Sequence, residues 1–368
     1  MAVRYSYLPQ QFNDCPELWD QLKEFVATGD FTLGKPLDKF ENSFANLLGA
    51  KFAVGVGSGT DAIKISLRAL GIKPGDEVIT AANTFVATVG AIAEIGAIPV
   101  FVDVNEMFCM DTNKIEAAIT DKTRAIVPVH FTGYMTKMDH VMDLAKTYDL
   151  KVVEDACQSI LASYLGKKAG TWGNVGAFSL HPLKNINVWS DGGVIVTNDQ
   201  ELYENLKLLR NHGLSDRDHV ELLGFNSRLD TFQAVVGNWL LPQAVEISEK
   251  RIANAKYLDS RLKVISGIEI PERPENLRVV YHLYSVFADD RDSLLNYCIS
   301  KKISAKVHYP VPIYKQKALQ EISGNLQFPV TDKLASRSIS FPCDQHLELA
   351  QLDEIADVVA SFYENKNI

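Results

Sequence analysis

The sequence contains no long hydrophobic run and no basic cluster, and these absences exclude several classes of protein. No apolar stretch approaches the roughly 20 residues that a membrane-spanning helix requires. Residues 1–7 lack the apolar core of a signal peptide. The net charge is −9, and no Lys/Arg run is interleaved with aromatic residues. We therefore expect neither nucleic acid nor a membrane as a partner.

Cysteine is scarce and shows no paired spacing. The chain has five cysteines, an odd number, at positions 15, 109, 157, 298 and 343. Neither a CxxC pair nor an HExxH motif occurs, so the sequence predicts no metal site and no disulfide framework. Scattered cysteines of this kind are typical of reduced thiols, which indicates a cytoplasmic protein.

Between about residues 50 and 200, short apolar runs alternate with segments of helical periodicity. The strand-like runs cover residues 52–56, 77–80, 99–102, 125–129, 151–154 and 194–196. Helical patterns stand near 86–95 and at 138–148. This alternation predicts an α/β large domain of three layers, with a mostly parallel sheet between helices.

The C-terminal part has a different pattern, which predicts a smaller α+β domain. Helices are expected at 243–262, 292–301 and 349–363, and strands at 280–288 and 304–309. We place the large domain at 1–250 and the small domain at 251–368. The N-terminal segment, about residues 1–30, is expected to pack on the small domain. No Gly/Ser/Pro-rich linker marks the boundary.

Lys184 lies in the segment 176–193, among Ser, His, Asn and apolar residues. No other charged residue stands between Lys168 and Asp191. A lysine in apolar surroundings loses its proton more readily, and a neutral amine can form a Schiff base. The alternative is a solvated surface lysine, which is the common state of this residue.

Glu154 and Asp155 place two carboxylates at the carboxyl end of a predicted strand, where ligands of open α/β sheets bind. One carboxylate there would suit the protonated ring nitrogen of pyridoxal phosphate (PLP), and Gln158 could reach the ring oxygen. The alternative for Asp155 is a helix N-cap. A short connection separates Asp155 from Lys184, so both residues are expected at neighbouring strand ends.

The segment 55–62 follows a strand and opens a helix, as phosphate-binding turns do. Gly59 would allow backbone N–H groups to approach an anion, Thr60 would add a hydroxyl donor, and Ser179 could supply another. A plain strand-to-helix turn is the simpler alternative. A dinucleotide site is disfavoured, because no acidic residue closes the second strand.

Three further residues have both a functional and a structural interpretation. Phe85 follows the second strand and could stack on a pyridine ring, or it could belong to the core. Asn226 lies in a polar turn at 224–230, which is also consistent with a capped loop. His308 could contact substrate or end a strand.

Read together and in order, these segments resemble the DegT/StrS-type PLP-dependent sugar aminotransferases. The resemblance extends over nearly the whole chain, and the ordered set is far more specific than any single motif. The matching segments are residues 31–34, 58–62, 74–79, 96–103, 129–130, 154–158, 178–179, 184–185, 191–193, 226–228 and 307–309.

The resemblance implies the fold of the aspartate aminotransferase group and a homodimer whose active sites lie at the subunit interface. It implies that Lys184 forms the Schiff base and moves the proton, and that Asp155 pairs with the ring nitrogen. Gln158 would contact the ring oxygen and Phe85 would stack on the ring. The residues assigned to the phosphate are Gly59, Thr60 and Ser179, with Asn226 from the other subunit.

The same resemblance indicates the reaction. Glutamate would be the amino donor and a nucleotide-linked keto-deoxyhexose the acceptor, with His308 and Trp189 on the substrate side. Asp191 is similar to members that act on 3-keto sugars. The bulky Trp189 departs from the commonest family pattern.

Three other functions remain open from the sequence. Related dehydratases have His at the lysine position, so Lys184 argues against dehydration. Another PLP reaction or a non-catalytic regulatory relative would share the same motifs.

Overall fold

The computed structural model describes residues 2–366, and a seven-stranded sheet lies at its centre. The strands in chain order are β1 (Phe52–Val56), β2 (Glu77–Ala81), β3 (Ile98–Val102), β4 (Thr123–Val127), β5 (Lys151–Asp155), β6 (Ser163–Tyr164), β7 (Lys167–Lys168), β8 (Val175–Ser179), β9 (Gly193–Thr197), β10 (Ile268–Glu269), β11 (Leu277–Arg278), β12 (Tyr284–Ala288) and β13 (Ser338–Phe341). The central sheet has the order β1-β9-β8-β5-β4-β2-β3.

This central sheet is mostly parallel, as predicted. The pairs β2–β3, β2–β4, β4–β5 and β5–β8 are parallel, whereas β9 runs antiparallel to both β1 and β8. Parallel strands bring their carboxyl ends to one edge of a sheet. Asp155 at the end of β5 and Ser179 at the end of β8 therefore lie side by side at that edge.

Helices cover both faces of the sheet. They are α1 (Leu8–Phe12), α2 (Pro16–Thr28), α3 (Lys35–Leu48), α4 (Gly59–Ala69), α5 (Val86–Glu94), α6 (Met138–Thr147), α7 (Gln200–Arg210), α8 (Thr231–Leu240), α9 (Ala244–Leu262), α10 (Arg291–Ser300), α11 (Gln320–Ser323), α12 (Pro329–Arg337) and α13 (Leu349–Lys366). Alternate residues of a strand face opposite sides. Accordingly, Val153 packs in the core cluster beneath α4 and α5, and Val152 packs in the cluster on the other face.

The C-terminal part contains a three-stranded sheet of order β10-β12-β13 that packs with α10 and α12, while α13 packs on α9 and α10. The prediction of a strand at 304–309 was wrong. In this segment an isolated bridge joins Lys306 to Ser340, and no strand forms. Pro310 and Pro312 follow at once and lack N–H donors for a longer ladder. The strand predicted from residue 280 begins only at Tyr284.

The N-terminal segment contacts both parts of the chain. Val3 pairs with Ile303, beside the small C-terminal sheet. By contrast, the buried face of α2, including Leu18 and Phe25, packs against Val235 of α8. The predicted boundary near residue 250 falls inside α9, and the division into two domains remains a prediction. Within residues 2–366, no helix is both long enough and apolar enough to cross a membrane.

Candidate active site

A cavity of about 310 Å³ lies at the carboxyl edge of the central sheet, between this sheet and the C-terminal part. Most of the predicted site residues line this cavity, although they are far apart in the sequence. Those that line it are Gly59, Thr60, Phe85, Asp155, Gln158, Ser179, Lys184 and His308.

Lys184 lies in the connection between β8 and β9 and faces the cavity. Two hydrogen bonds hold the backbone of Lys184 in place. Its N–H donates to the carbonyl of His181 (2.8 Å), and its carbonyl accepts from the Tyr7 hydroxyl (2.9 Å). Burial lowers the pKa of Lys184 below its ordinary value, although the nearby Cys157 and Asp155 act in the opposite direction. A lowered pKa increases the neutral fraction of the amine, which is the nucleophilic form.

Asp155 is buried at the end of β5 with its carboxyl group towards the cavity. Its Oδ2 accepts a hydrogen bond from the Thr88 hydroxyl (2.7 Å), and its Oδ1 accepts from the backbone N–H of Cys157 (3.2 Å). These two donors fix the orientation of the carboxyl group. Asp155 is therefore held by a side chain of α5 and by the backbone of the segment that follows its own strand.

The neighbouring carboxylate, Glu154, points to the other face of the sheet, as the alternation of a strand requires. It is fully buried and accepts hydrogen bonds from the backbone N–H groups of Gly170, Trp172 and Gly173. Its Oε2 lies 2.9 Å from Nε2 of His130. Of the two adjacent carboxylates, only Asp155 belongs to the cavity, and Glu154 organises the loop after β7.

Gln158 presents a defined end of its amide to the cavity. The backbone N–H of Thr132 donates to its Oε1 (2.8 Å). Because an N–H group needs an acceptor, this bond identifies the oxygen end of the amide. The Nε2 end is left as the donor, which is what an anionic ring oxygen of a cofactor requires.

Gly59 is the first residue of α4, and Ser58 caps this helix by accepting the N–H of Asp61 (3.0 Å). A Cβ at position 59 would lie 2.7 Å from Cβ of Ser179 and 2.9 Å from Sγ of Cys157. The close approach of β8 to the helix start therefore requires glycine here. An 11-residue helix that begins at the cavity wall favours an anion at this point.

Phe85 and His308 also line the cavity. Phe85 is 49% exposed, so it does not belong to the core, and its ring centroid lies 5.7 Å from that of Tyr309. Nδ1 of His308 lies 3.0 Å from the hydroxyl of Ser340. Burial lowers the pKa of His308 to about 4, with contributions from the charges of Lys306 and Lys184. The imidazole is therefore neutral at physiological pH.

Two predicted site residues lie outside this cavity. Asn226 is exposed and forms an isolated bridge with Asn211. Trp189 packs against Trp19 (5.4 Å) and Phe232 (6.1 Å) and lines a separate groove. Asp191 lines both the groove and the cavity. The predicted role of Asn226 concerns a second subunit, and that of Trp189 concerns the substrate; both roles stay predictions.

Several cavity residues were not predicted from the sequence. Tyr5 and Tyr7 come from the N-terminal segment, Arg251 from α9 and His282 from the segment before β12. None of them belongs to a local motif, so only the folded chain reveals them. Burial lowers the pKa of His282 well below its ordinary value, and the positive charges of Lys184 and Arg251 lower it further.

Comparison with known proteins shows a likeness along nearly the whole chain. The DegT/DnrJ/EryC1/StrS aminotransferase family model matches residues 14–360. The chain is 37% identical over 368 residues to the pleiotropic regulatory protein of Geobacillus stearothermophilus, with 99% of each chain covered. It is 38% identical over 344 residues to the UDP-N-acetyl-3-dehydro-alpha-D-glucosamine 3-aminotransferase of Acidithiobacillus ferrooxidans, with 93% of each covered.

The fold also matches a solved structure of this group. The X-ray structure of S. venezuelae DesV in complex with a ketimine intermediate aligns with a TM-score of 0.96 and 36% sequence identity, and the alignment covers 99% of both chains. This likeness confirms the predicted fold.

Proposed function

The chain belongs to the DegT/DnrJ/EryC1/StrS aminotransferase family, and from this premise we propose that it transfers an amino group from glutamate to a nucleotide-linked keto sugar. One observation carries the proposal. Lys184, whose pKa is lowered by burial, shares a cavity with Asp155 and with the glycine turn at Gly59. An amine, a carboxylate and an anion-binding turn are the three groups that PLP needs from a protein.

The cavity fits PLP at each of its polar groups. The start of α4 at Gly59, with Thr60 and Ser179, would hold the phosphate. Asp155 would face the ring nitrogen, and the free Nε2 end of Gln158 would face the ring oxygen. The exposed face of Phe85 would cover the ring. When bound, PLP supplies an electron sink for the carbon that gains or loses the amino group.

The side chains of this chain supply binding, orientation and proton movement. Nζ of Lys184 removes and returns the proton at the reacting carbon, because burial leaves more of the amine neutral. General acid–base catalysis of this kind contributes roughly 10²–10⁴-fold in rate. Asp155, oriented by Thr88, would keep a proton on the ring nitrogen of bound PLP. His308, neutral at physiological pH, offers a hydrogen bond to the sugar.

The finer features of the proposal come from family resemblance. The acceptor is proposed to be a 3-keto sugar because Asp191 precedes Gly192, and the enzyme of Acidithiobacillus ferrooxidans is named for a 3-dehydro sugar. The enzyme is proposed to act as a homodimer in the cytoplasm. Asn226, exposed on one subunit, would reach the phosphate bound by the other subunit.

The test is a pair of half-reactions followed by cofactor absorbance. Addition of glutamate to the PLP-loaded protein should convert the cofactor to its amine form, and a panel of 3-keto and 4-keto nucleotide sugars should then restore it. Lys184→Ala should abolish turnover, whereas Lys23→Ala, at a lysine whose side chain is 79% exposed, should not. Near-full transamination by Lys184→Ala would refute the assignment.

A non-catalytic regulatory protein is the second candidate, since a relative that is 37% identical is named a pleiotropic regulatory protein. Such a protein would show cofactor absorbance without any change on addition of glutamate. The same experiment therefore separates the two functions.

A further inference from the structure

We propose that Arg251 binds a carboxylate group of the amino donor inside the cavity. This inference rests on the proposed function, because it assigns a residue to one of the two substrates of that reaction. Arg251 lines the cavity, two of its nitrogens have hydrogen-bond partners, and the third has none among the described residues.

Arg251 projects from α9 into the cavity wall and is only 3% exposed. Its Nε donates to Oε1 of Gln345 (3.1 Å), and its Nη1 donates to the carbonyl of Tyr281 (3.2 Å). The guanidinium carbon lies 5.0 Å from the centroid of the Tyr7 ring. Three contacts on three sides leave the group little freedom to turn.

The remaining nitrogen of this guanidinium, Nη2, is buried and has no hydrogen-bond partner among the described residues. Nε2 of Gln345, the residue that accepts from Arg251, is also buried without a partner in that part of the chain. Buried donors are nearly always paired, and an unpaired donor of a charged group is costly. The unpaired donor of Arg251, which lines the cavity, indicates an acceptor that arrives with a ligand.

Burial raises the pKa of Asp344, and the positive charge of Arg251 acts in the opposite direction. Asp344 lines the same cavity, but its Oδ1 accepts the backbone N–H of His346 (2.9 Å), and no ion pair within 4.0 Å joins it to Arg251 in residues 2–366. A guanidinium presents its donors in a planar fork that matches a carboxylate. Because Nε and Nη1 already have partners, the free Nη2 is the nitrogen that would donate to a carboxylate oxygen of a ligand.

The other cavity cations are engaged differently. In the proposed function, the amine of Lys184 reacts with the cofactor and does not bind the carboxylate of the donor. Lys306 is exposed, and its Nζ lies 4.6 Å from the centroid of the Tyr5 ring. Arg251 thus combines full burial with a free donor.

Arg251 lines the same cavity as Lys184, the proposed reacting residue. Tyr7 contacts both residues, since its hydroxyl donates to the backbone carbonyl of Lys184 (2.9 Å) while its ring lies beside the guanidinium of Arg251. A donor whose amine reacts beside Lys184 carries a carboxylate on the same molecule. An acidic keto sugar would also bring a carboxylate, so the experiment has to separate the two sources.

The experiment compares Arg251→Gln and Arg251→Lys with the wild type in single half-reactions. For glutamate, Arg251→Gln should raise the apparent dissociation constant roughly 10- to 100-fold, the range for loss of a charge-assisted hydrogen bond. Arg251→Lys should retain part of the affinity, because it keeps the charge. Arg68→Gln, on the exposed side of α4, is the matched control and should not differ from the wild type.

Propylamine, an amine without a carboxylate, distinguishes recognition from structure. Its slower reaction with the PLP-loaded enzyme should be unchanged in Arg251→Gln, to within about twofold. An equal loss with glutamate and propylamine would overturn the proposal in favour of a structural role. If Arg251→Gln does not fold, the same comparison is made with Arg251→Lys.

The acceptor is tested with the amine form of the enzyme and two keto sugars, one neutral and one with a uronate carboxylate. Neither should be affected by Arg251→Gln. Loss of the uronate reaction with unchanged glutamate affinity would assign the arginine to the acceptor and overturn the donor assignment. A wild-type protein that does not react with glutamate would refute the proposed function itself, and this inference with it.

Discussion

The hydroxyl of Thr88 donates to Oδ2 of Asp155 over 2.7 Å, and the hydroxyl of Thr84 lies 2.7 Å from that of Thr88. This chain of polar groups is buried and joins the first turn of α5 to the end of β5. It leaves Asp155 a single orientation, with its carboxyl group towards the cavity. The group proposed to face the cofactor nitrogen is thus positioned by a residue 67 positions away.

Thr88→Val should weaken cofactor binding, because valine has nearly the shape of threonine but cannot donate to Asp155. Loss of a hydrogen bond to a charged group should lower PLP affinity and slow the glutamate half-reaction by roughly tenfold each. Absorbance titration with PLP and single-turnover kinetics measure the two effects. Thr88→Ser keeps the hydroxyl and is the control; wild-type behaviour of Thr88→Val would show that the hydrogen bond has no functional role.

Gly59→Ala should impair the proposed phosphate site. Its Cβ would lie 2.7 Å from Cβ of Ser179, so that β8 or the start of α4 has to move. Overpacking of this kind costs about 1–3 kcal/mol, which corresponds to a loss of about tenfold or more in PLP affinity if the shift disturbs the helix start. Gly90→Ala in α5 is a matched control, because no atom lies within 4 Å of its Cβ position. Equal PLP dissociation constants for both variants would contradict the assignment.

The sequence predicted those parts of the site that depend on local structure. Gly59 at a strand-to-helix turn and Asp155 at a strand end follow from the alternation of apolar runs, and Lys184 from its uncharged flanks. Tyr7 and Arg251 could not be predicted in this way, because tertiary folding brings them to the cavity from an N-terminal segment and from α9.

The failures also have physical reasons. Residues 304–309 have an apolar pattern compatible with a strand, but Pro310 and Pro312 limit hydrogen bonding to one bridge at Lys306. The adjacent Glu154 and Asp155 are alike in the sequence, yet they face opposite sides of β5. Only the position of each residue in the sheet distinguishes the structural carboxylate from the one in the cavity.

The pKa of His308 predicts a pH dependence of stability. Burial lowers the pKa of the folded His308 to about 4, whereas an unfolded histidine has about 6.5. Between these values the unfolded chain binds more protons, so the free energy of unfolding falls as the pH falls. From pH 7.5 to 5.0, this residue alone should remove about 2 kcal/mol.

Urea denaturation at the two pH values tests this effect. His308→Asn should lose about 2 kcal/mol less than the wild type between pH 7.5 and 5.0, because asparagine does not titrate. His219→Asn, at a ring that is 72% exposed, is the control and should follow the wild type. An identical pH dependence of His308→Asn and the wild type would show that the folded histidine titrates normally.

Trp189 should affect the sugar substrate and not glutamate, because it lines a groove beyond the cavity that holds Lys184. The groove shares Asp191 with the cavity, so the outer part of a nucleotide-linked sugar can extend into it. Trp189→Leu should raise KM for the sugar nucleotide up to about tenfold, the equivalent of one lost aromatic contact. The rate of the glutamate half-reaction should stay within about twofold of the wild-type value.

Trp19→Leu distinguishes substrate contact from packing. Trp19 belongs to the same aromatic cluster, with its ring 5.4 Å from that of Trp189, but it does not line the groove. Both variants lose an aromatic contact of the cluster, so both should lower the thermal midpoint. An equal rise of KM for the sugar in both variants would mean that the effect comes from packing. A rise only in Trp189→Leu would mean that the indole of Trp189 contacts the substrate, because both variants lose packing.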